Sequence, residues 1–359
     1  MAPTRSRKTT VPHFNVMVVG FSGVGKTSFV RTLQASLGLN KRDSKFQSGE
    51  QASCPLLERT LEPYTVSVET LVDGGEKVAL TLIDTPGFNM DYLLDKQVHD
   101  ILGYIEHQFD LTLAEENKVK RNPKAVDTQV HACLYFVDPK KTDLDDYDIR
   151  ALTRLAKRVN VIPVIGKSDT LTLAQRNRLK PTLLRSIYNN HKIPIYGMPE
   201  EEQDDDDDDN DGDENNDKAT KDTKKDETLA EFLQQFDYDQ EEDEIQVLID
   251  YLRTIPFTFI ACEEDPTTGA PLQMTSATGK QIQLGRDYGW GTIDCQSDDY
   301  SDFNKLITVL LCTHRRLLMT ETVERYYEQY RTERLMQRRI TKMKSMEVNK
   351  KFLEDLKRL

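Results

Sequence analysis

Short apolar stretches alternate along the chain with longer segments of helical periodicity. The apolar stretches have the length of β-strands, and they are Phe14–Val19, Val78–Ile83, Ala132–Val137, Val161–Ile165 and Phe257–Cys262. The segments between them show helical spacing of apolar residues, which predicts helices at Thr27–Leu37, Leu93–Phe109, Asp145–Arg158, Leu173–Asn190 and Glu241–Leu252. Strands that alternate with helices form parallel βαβ units, and strands apolar on both faces belong to a sheet covered on both sides. The sequence therefore predicts an α/β fold with a mostly parallel sheet flanked by helices.

The apolar stretches are too short for a membrane protein, since a transmembrane helix needs roughly 20 apolar residues. The first eleven residues include Arg5, Arg7 and Lys8 but no apolar core, so we expect no secretory signal. The five cysteines show no CxxC spacing, which is typical of reduced thiols in a cytosolic protein.

The formal charge of −13 can be traced to one segment. Glu200–Asp217 contains 13 acidic residues and no basic one, whereas Arg315–Leu359 contains 13 basic and 7 acidic residues. We interpret residues 200–226 as a solvated, disordered insert within one domain. A calcium site is the alternative, but no EF-hand pattern with its glycine and terminal glutamate appears in the segment.

A phosphate-binding motif follows the first predicted strand. Gly20-Phe21-Ser22-Gly23-Val24-Gly25-Lys26-Thr27 fits the pattern GxxxxGK[ST] and leads into a predicted helix. Glycines let backbone N–H groups curl around phosphate oxygens, and the helix N-terminus adds partial positive charge. Lys26 is expected on the β- and γ-phosphates, and the Thr27 hydroxyl on Mg²⁺. The predicted nucleotide contacts in this loop are Gly20, Ser22, Gly23, Val24, Gly25, Lys26, Thr27 and Ser28.

A second motif, Asp84-Thr85-Pro86-Gly87, follows the predicted strand Val78–Ile83. An aspartate at the carboxyl end of a strand beside the phosphate loop is placed to hold Mg²⁺, and the Gly87 N–H to contact a γ-phosphate. Pro-Gly alone is also a common turn, so this motif indicates a nucleotide site only because a phosphate-binding loop precedes it in the chain.

A third motif, Gly166-Lys167-Ser168-Asp169, resembles the guanine-recognition motif NKxD of GTPases, with Gly166 in place of asparagine. The Asp169 carboxylate can accept two hydrogen bonds from guanine, and the Lys167 stem is expected along the base. Adenine would leave this carboxylate unpaired, which costs free energy. Asp169 therefore predicts GTP or GDP as the ligand.

Several longer stretches resemble the septin family of GTPases. Val159–Thr172 is similar to the septin sequence VNIIPVIAKADTLT, and Gly285–Gly291 resembles the septin motif GRxYPWG. Further matches, in the same order as in septins, are Arg121-Asn122-Pro123, Val130–Phe136, Asp302–Leu306, Thr313-His314 and Tyr326–Glu333. The resemblance extends from about Phe14 to Leu335 without the acidic insert, and the chain is identified as a divergent, fungal-type septin.

The resemblance implies a P-loop GTPase fold with a septin-specific C-terminal extension and a terminal helix. It implies GTP/GDP and Mg²⁺ as cofactors, and other septins as partners in hetero-oligomeric rods and filaments. The expected location is the cytoplasm, in the cytoskeleton of the cell cortex at a septum or bud-neck-like site. No nucleic-acid partner is expected.

The resemblance also assigns roles to three residues. Thr60, in Glu58-Arg59-Thr60, matches the switch threonine that binds Mg²⁺ and assists hydrolysis. Arg286 is expected to contact the base. Trp290 is expected at the nucleotide-side contact between subunits, although the residue alone would suggest a core tryptophan.

The chain departs from the septin pattern at several positions. Asn89-Met90-Asp91 replaces the Gly-Asp that usually follows DTPGF, and Gly289 replaces the proline of GRxYPWG. The loop Lys140–Asp146 lacks the Gly-His pair that septins use in the nucleotide-side contact. The loss of the glycine argues against movement of the segment beside the γ-phosphate. The loss of the Gly-His pair argues against pairing of two copies of this chain through the nucleotide-side face.

The tail after the GTPase domain contains neither glycine nor proline and shows helical spacing of apolar residues, so we expect a helix. Its first half is predicted to pack on the domain. Its second half favours a partner helix, the start of a coiled coil, with an anionic lipid surface as the alternative. The predicted organisation is a basic lead-in at 1–13, a septin-type GTPase domain at 14–313 and a C-terminal helix at 314–359.

Two functions fit these residues. A slow GTPase that governs assembly is supported by Thr27, Thr60 and Asp84. A catalytically inactive subunit that holds GTP or GDP as a structural ligand is favoured by Asn89-Met90 and the missing Gly-His pair. An unrelated P-loop kinase for small molecules is disfavoured by Asp169 and the septin motifs.

Overall fold

The structure is a computed structural model, and it describes residues 11–37, 63–72, 75–89, 93–120, 126–198, 242–265, 270–275 and 281–356. A six-stranded sheet runs through the centre in the order β2-β3-β1-β4-β5-β6. Its strands are β1 His13–Gly20, β2 Tyr64–Val72, β3 Glu76–Asp84, β4 Ala132–Val137, β5 Val161–Ile165 and β6 Phe257–Thr258. Neighbouring strands are parallel except for the edge pair β2 and β3. The predicted α/β class with a mostly parallel sheet is confirmed.

The helices of the described residues pack along this sheet and extend beyond it. They are α1 Lys26–Ser36, α2 Leu94–Glu116, α3 Asp146–Leu155, α4 Leu173–Arg185, α5 Asp243–Thr254, α6 Phe303–Thr308, α7 Arg315–Glu321 and α8 Glu328–Leu356. Side-chain hydrogen bonds cap the N-termini of two of these helices. Asp145 accepts the Asp148 N–H ahead of α3, and Thr172 forms a capping box with Gln175 ahead of α4.

The middle strands lie in the core because they are apolar on both faces. All six residues of β4 and all five of β5 are buried. Strands of this kind are covered by helices on both faces, so their backbone N–H and C=O groups bond to other protein groups. Most of these bonds lie within the sheet, and the Val161 carbonyl of β5 also accepts from the Tyr196 N–H outside it. Among the described residues, no helix combines the length and hydrophobicity needed to span a bilayer.

Three elements differ from the sequence prediction. The edge strand β2 was not predicted, although Tyr64–Glu69 alternates apolar and polar residues, and the structure places β2 residues alternately in half-buried and exposed positions. The predicted strand Phe257–Cys262 pairs with β5 only at Phe257 and Thr258. The predicted helix Leu173–Asn190 is α-helical to Arg185 and ends in a π-helical turn, Ser186–Asn190.

Two short hairpins lie outside the central sheet. β7 Met274–Thr275 pairs with β8 Gln281–Ile282, and β9 Gly285–Asp287 pairs with β10 Thr292–Asp294. The second hairpin places Arg286 beside the loop that follows β5, where its guanidinium forms an ion pair with the Asp169 carboxylate.

The C-terminal helices begin inside the domain and leave it along α2. The Asn160 side-chain amide donates to the Leu318 carbonyl at 3.1 Å and to the Thr322 hydroxyl at 3.2 Å. The Phe109 ring of α2 packs against the rings of Tyr327 and Tyr330. A π-helical segment, Thr322–Tyr327, joins α7 to α8. The first part of the tail is therefore part of the domain core.

Candidate guanine-nucleotide site

The phosphate loop connects β1 directly to α1. Gly25 lies immediately before α1 with φ of 102°, a left-handed conformation that disfavours a side chain. Lys26 is buried, and its Nζ donates to the carbonyls of Gly20 at 3.0 Å and Phe21 at 2.8 Å. The loop therefore curls around the lysine ammonium, with a helix N-terminus at its base.

Thr27 and Asp84 meet at the carboxyl edge of the sheet. Val18 of β1 lies opposite Asp84 in the parallel pairing with β3, so the two strands end side by side. The Thr27 hydroxyl donates to Asp84 Oδ2 at 2.6 Å, and the Asp84 side chain is buried. A hydroxyl and a carboxylate are hard oxygen ligands, which suit Mg²⁺.

Gly87 brings the segment after β3 against the phosphate loop. A Cβ atom added to Gly87 would lie 2.5 Å from the Ser22 Cα, so only glycine fits this approach. The Ser22 N–H donates to the Phe88 carbonyl, and the Phe88 N–H donates to the Gly20 carbonyl, each at 3.0 Å. These bonds align the segment after Asp84 with the phosphate loop.

Asp169 lies at the other end of the site, on the loop that follows β5. Its side chain is 9% exposed, and Oδ1 has no hydrogen-bond partner in the part of the chain that the structure describes. The Arg286 Nε lies 3.9 Å from Asp169 Oδ2. A buried carboxylate oxygen without a donor costs free energy, and a guanine N1–H or amino group would remove that cost.

Tyr288 adds a third side chain to this end of the site. Burial raises the pKa of Tyr288, and the adjacent Asp169 carboxylate raises it further. The phenol therefore stays protonated and available as a donor at neutral pH. The Arg286 guanidinium lies over the Tyr288 ring at 5.7 Å.

The geometry agrees with what comparison with known proteins finds. The sequence model of the septin family matches residues 11–344. The chain belongs to the septin family. Septin homolog spn3 of Schizosaccharomyces pombe is 31% identical over 332 residues, which are 92% of this chain and 75% of that protein. Cell division control protein 11 of Saccharomyces cerevisiae is 32% identical over 324 residues, which are 90% of this chain and 66% of that protein.

A solved structure shows the same fold. The septin GTPase domain from Chlamydomonas reinhardtii superposes with a TM-score of 0.56 at 20% identity, covering 90% of this chain and 99% of that one. The septin resemblance read from the motifs is thus confirmed at the level of family and fold. Membership of this GTPase family implies guanine-nucleotide binding.

The structure gathers most of the predicted site residues of this septin along one edge of the sheet. Ser22, Gly23 and Val24 lie in the phosphate loop, Ser28 in the first turn of α1, and Lys167 beside Asp169. Thr60 lies outside the described residues, as do Cys54, the acidic insert and the Arg121-Asn122-Pro123 motif. The role of Thr60 therefore stays a prediction.

The structure decides the environment of Trp290. Its side chain is 78% exposed and stacks on the Tyr288 ring at 5.4 Å. The interpretation of Trp290 as a core residue is wrong. An exposed tryptophan beside the base end of the site leaves the nucleotide-side contact as its predicted role.

Sequence reasoning missed Tyr288 and Lys141. Lys141 stands in the loop where septins usually have Gly-His, and its ammonium lies 4.4 Å from the centre of the Phe21 ring in the phosphate loop. It also pairs with Asp145 and with Asp148, which accepts a hydrogen bond from the Tyr135 hydroxyl. The spacing of Lys141, Asp145 and Asp148 in the sequence could have predicted their ion pairs. The contact of Lys141 with Phe21 could not be predicted, because it depends on the fold.

Proposed function

We propose that this septin binds guanine nucleotide through the loops after β1, β3 and β5, with Mg²⁺, and hydrolyses GTP slowly. The observation that carries the proposal is the buried Oδ1 of Asp169, which has no hydrogen-bond partner among the described residues and lies beside Arg286. Guanine offers two donors on the edge that a carboxylate recognises, whereas adenine offers an acceptor there. A site with an unmet acceptor discriminates against a base without donors.

The chain's own residues fit a Mg²⁺–nucleotide. Backbone N–H groups of the phosphate loop and the α1 N-terminus would bind the phosphates, and Lys26 would supply a cation beside them. Thr27 and Asp84 would hold Mg²⁺, since their oxygens already lie 2.6 Å apart at the loop. When bound, Mg²⁺ neutralises charge on the β- and γ-phosphate oxygens. Gly87 would donate its N–H to the γ-phosphate, and Lys167 would cover the base.

A second function, a septin that holds nucleotide without hydrolysing it, is favoured by Asn89. Its N–H donates to Gln97 Oε1 of α2 at 3.0 Å, which ties the segment after Phe88 to a helix. The resemblance to septins implies glycine at this position. A tethered segment next to Gly87 would resist the movement that γ-phosphate binding and release require.

Identification of the bound nucleotide tests the proposal. The protein is purified with its native partners, denatured, and the released nucleotide is separated by ion-exchange chromatography. GDP alone supports hydrolysis, and GTP alone supports the second function. Equal affinity of the purified chain for ATP and GTP would overturn guanine recognition.

We also propose that the septin acts within hetero-oligomers at the cell cortex during cytokinesis or morphogenesis. Septins generally assemble with other septins, and two relatives are named for septation or cell division, Septation protein 7 of Candida albicans and Cell division control protein 11 of Saccharomyces cerevisiae. The exposed apolar side chains of α8 support a partner helix, and they are Leu335, Met336, Ile340, Met343 and Met346. Anionic lipid is the alternative partner, because basic residues alternate with these positions.

The proposed domain organisation follows the sequence prediction, with a basic lead-in at 1–13, the GTPase domain at 14–313 and the C-terminal helix at 314–359. We propose in addition that the first turns of the C-terminal helices stabilise the domain, because Asn160 donates hydrogen bonds to Leu318 and Thr322.

A further inference from the structure

The Lys141 ammonium lies between two carboxylates at the start of α3. Its side chain is 13% exposed, and Nζ lies 2.6 Å from Asp145 Oδ2 and forms a second ion pair with Asp148. Asp145 precedes α3 and Asp148 lies in its first turn, where the helix dipole favours carboxylates. Because the helix fixes both carboxylates, they hold the ammonium at one place relative to α3.

Asp148 is also held from the central sheet. Its side chain is fully buried, and Oδ1 accepts a hydrogen bond from the Tyr135 hydroxyl of β4 at 2.7 Å. Lys141 pairs with the other oxygen, Oδ2. A buried carboxylate is stable only when it is paired and hydrogen-bonded. The three side chains therefore form one unit that is anchored on both β4 and α3.

The same ammonium lies over a side chain of the phosphate loop. It is 4.4 Å from the centre of the ring of Phe21, a buried residue that follows Gly20 in that loop. A cation over the face of an aromatic ring is attracted to it, and more strongly where water is excluded. The Phe21 carbonyl accepts a hydrogen bond from Lys26 Nζ at 2.8 Å. The position of the Phe21 ring therefore bears on the carbonyl that orients Lys26.

The Phe21 ring also contacts the segment that follows Asp84. It meets the Phe88 ring at an angle of 75°, with the ring centres 5.7 Å apart. In the described part of the chain, the ion pairs, hydrogen bonds and ring contacts of Lys141 do not involve the loop that carries Asp169. Lys141 thus supports the phosphate end of the site and leaves the base end to other side chains.

We propose that Lys141 is a positioning residue that holds the phosphate loop in the shape required to bind the nucleotide phosphates, through its contact with the Phe21 ring. Release of the nucleotide then depends on Lys141, whereas discrimination between bases at Asp169 does not. This inference rests on the proposed binding of guanine nucleotide. It assigns a role to a lysine in a loop where the chain departs from the septin pattern.

The first experiment replaces Lys141 with methionine, which keeps the approximate length of the side chain and removes its charge. Release of a fluorescent GDP from the purified chain should become roughly tenfold faster, because a desolvated contact between a cation and a ring is lost. Lys140→Met is the matched control, since the neighbouring lysine is exposed and loses the same charge. The control should release GDP at the rate of the wild type. An unchanged rate in Lys141→Met would overturn the proposal.

Comparison of GDP with IDP separates positioning of the phosphate loop from damage to the whole site. The two nucleotides differ only in the 2-amino group, which is one of the two guanine donors that Asp169 is proposed to recognise. In Lys141→Met the ratio of the two affinities should stay within about twofold of the wild-type ratio, because the base end of the site is untouched. Loss of this ratio together with faster release would show general damage and would contradict the proposed role.

A double-mutant cycle tests whether the effect passes through the ring. Lys141→Met leaves the buried Asp148 carboxylate without its cation, so all variants of the cycle also carry Asp148→Asn. Phe21→Leu keeps an apolar side chain and removes the ring. If Lys141 acts through Phe21, Lys141→Met accelerates GDP release several-fold less in chains that carry Phe21→Leu. Equal accelerations with and without Phe21→Leu would overturn the proposal, whereas failure of the wild type to bind GDP contradicts the proposed function instead.

Discussion

The Tyr196 hydroxyl and His314 Nδ1 lie 2.9 Å apart in the core of the protein. Both side chains are buried, and the Tyr251 ring packs against each of them. Tyr196 lies shortly before the acidic insert, Tyr251 lies in the helix after it, and His314 lies at the start of the C-terminal helices. The three rings therefore connect both ends of the insert to the tail.

This cluster predicts a pH-dependent stability. Burial lowers the pKa of His314, so the folded protein resists protonation while the unfolded chain accepts a proton near the ordinary value of about 6.5. Stability that is present above that value is therefore lost as the pH falls through it. The charge of Glu321 acts on the same cluster, because it raises the pKa of the Tyr196 phenol in addition to the effect of burial.

The test compares urea unfolding of the wild type and His314→Gln between pH 7.5 and 5.5. We expect the wild type to lose more unfolding free energy than the variant over this range. His107→Gln, at an exposed position of α2, is the control and should follow the wild type. A variant with the same pH dependence as the wild type would show that His314 does not contribute.

Asp169→Ala is expected to remove the preference for guanine. Two hydrogen bonds to a charged group are lost, at ~1.5–3 kcal/mol each, so GDP binding should weaken by about 3 kcal/mol or more. Calorimetric titration with GDP and ADP measures the change. Asp100→Ala, at an exposed aspartate of α2, should leave both affinities unchanged.

Thr60→Ala is expected to slow GTP hydrolysis and to leave GDP affinity nearly unchanged, because the switch threonine acts on Mg²⁺ and the γ-phosphate. Single-turnover assays with radiolabelled GTP measure the rate. Thr65→Ala, on the exposed face of β2, serves as the control. An unaltered rate in Thr60→Ala would mean that another residue has this role.

Deletion of Glu200–Lys225 is expected to leave the melting temperature nearly unchanged, because it removes no apolar residue except Ala219. The contact between the rings of Tyr196 and Tyr251 already brings both sides of the insert together. Tyr196→Ala is the positive control, with an expected loss of about 3 kcal/mol from cavity formation. A marked fall in melting temperature on deletion would assign the insert a structural role.

The chain is expected to form hetero-oligomers rather than filaments of its own. A symmetric pair across the nucleotide would lack the Gly-His pair twice, whereas a pair with a more typical septin lacks it once. Sedimentation of the purified chain at low salt should show dimers at most, with rods after other septins are added. Long filaments from this chain alone would contradict the prediction.

The sequence was sufficient for the fold class and for locating many residues of the candidate site. Its apolar stretches gave the positions of four of the parallel strands, and the motifs that follow β1, β3 and β5 marked Lys26, Asp84 and Asp169. Motifs that are far apart in the sequence could be assigned to one site, because the carboxyl ends of parallel strands lie at one edge of a sheet. The antiparallel strand β2 was missed, although Tyr64–Glu69 alternates apolar and polar residues in the sequence.

Only the tertiary structure decided the environment of individual side chains. Trp290 lies in solvent beside Tyr288, and Lys141 lies over Phe21, neither of which periodicity or spacing predicts. The contact of Gly166 with Val24 joins residues 142 positions apart in the sequence. The sequence by itself determined which segments form strands, helices and ligand loops, because those depend on local composition. The distances between loops depend on how the whole core packs, so they were set by the tertiary structure.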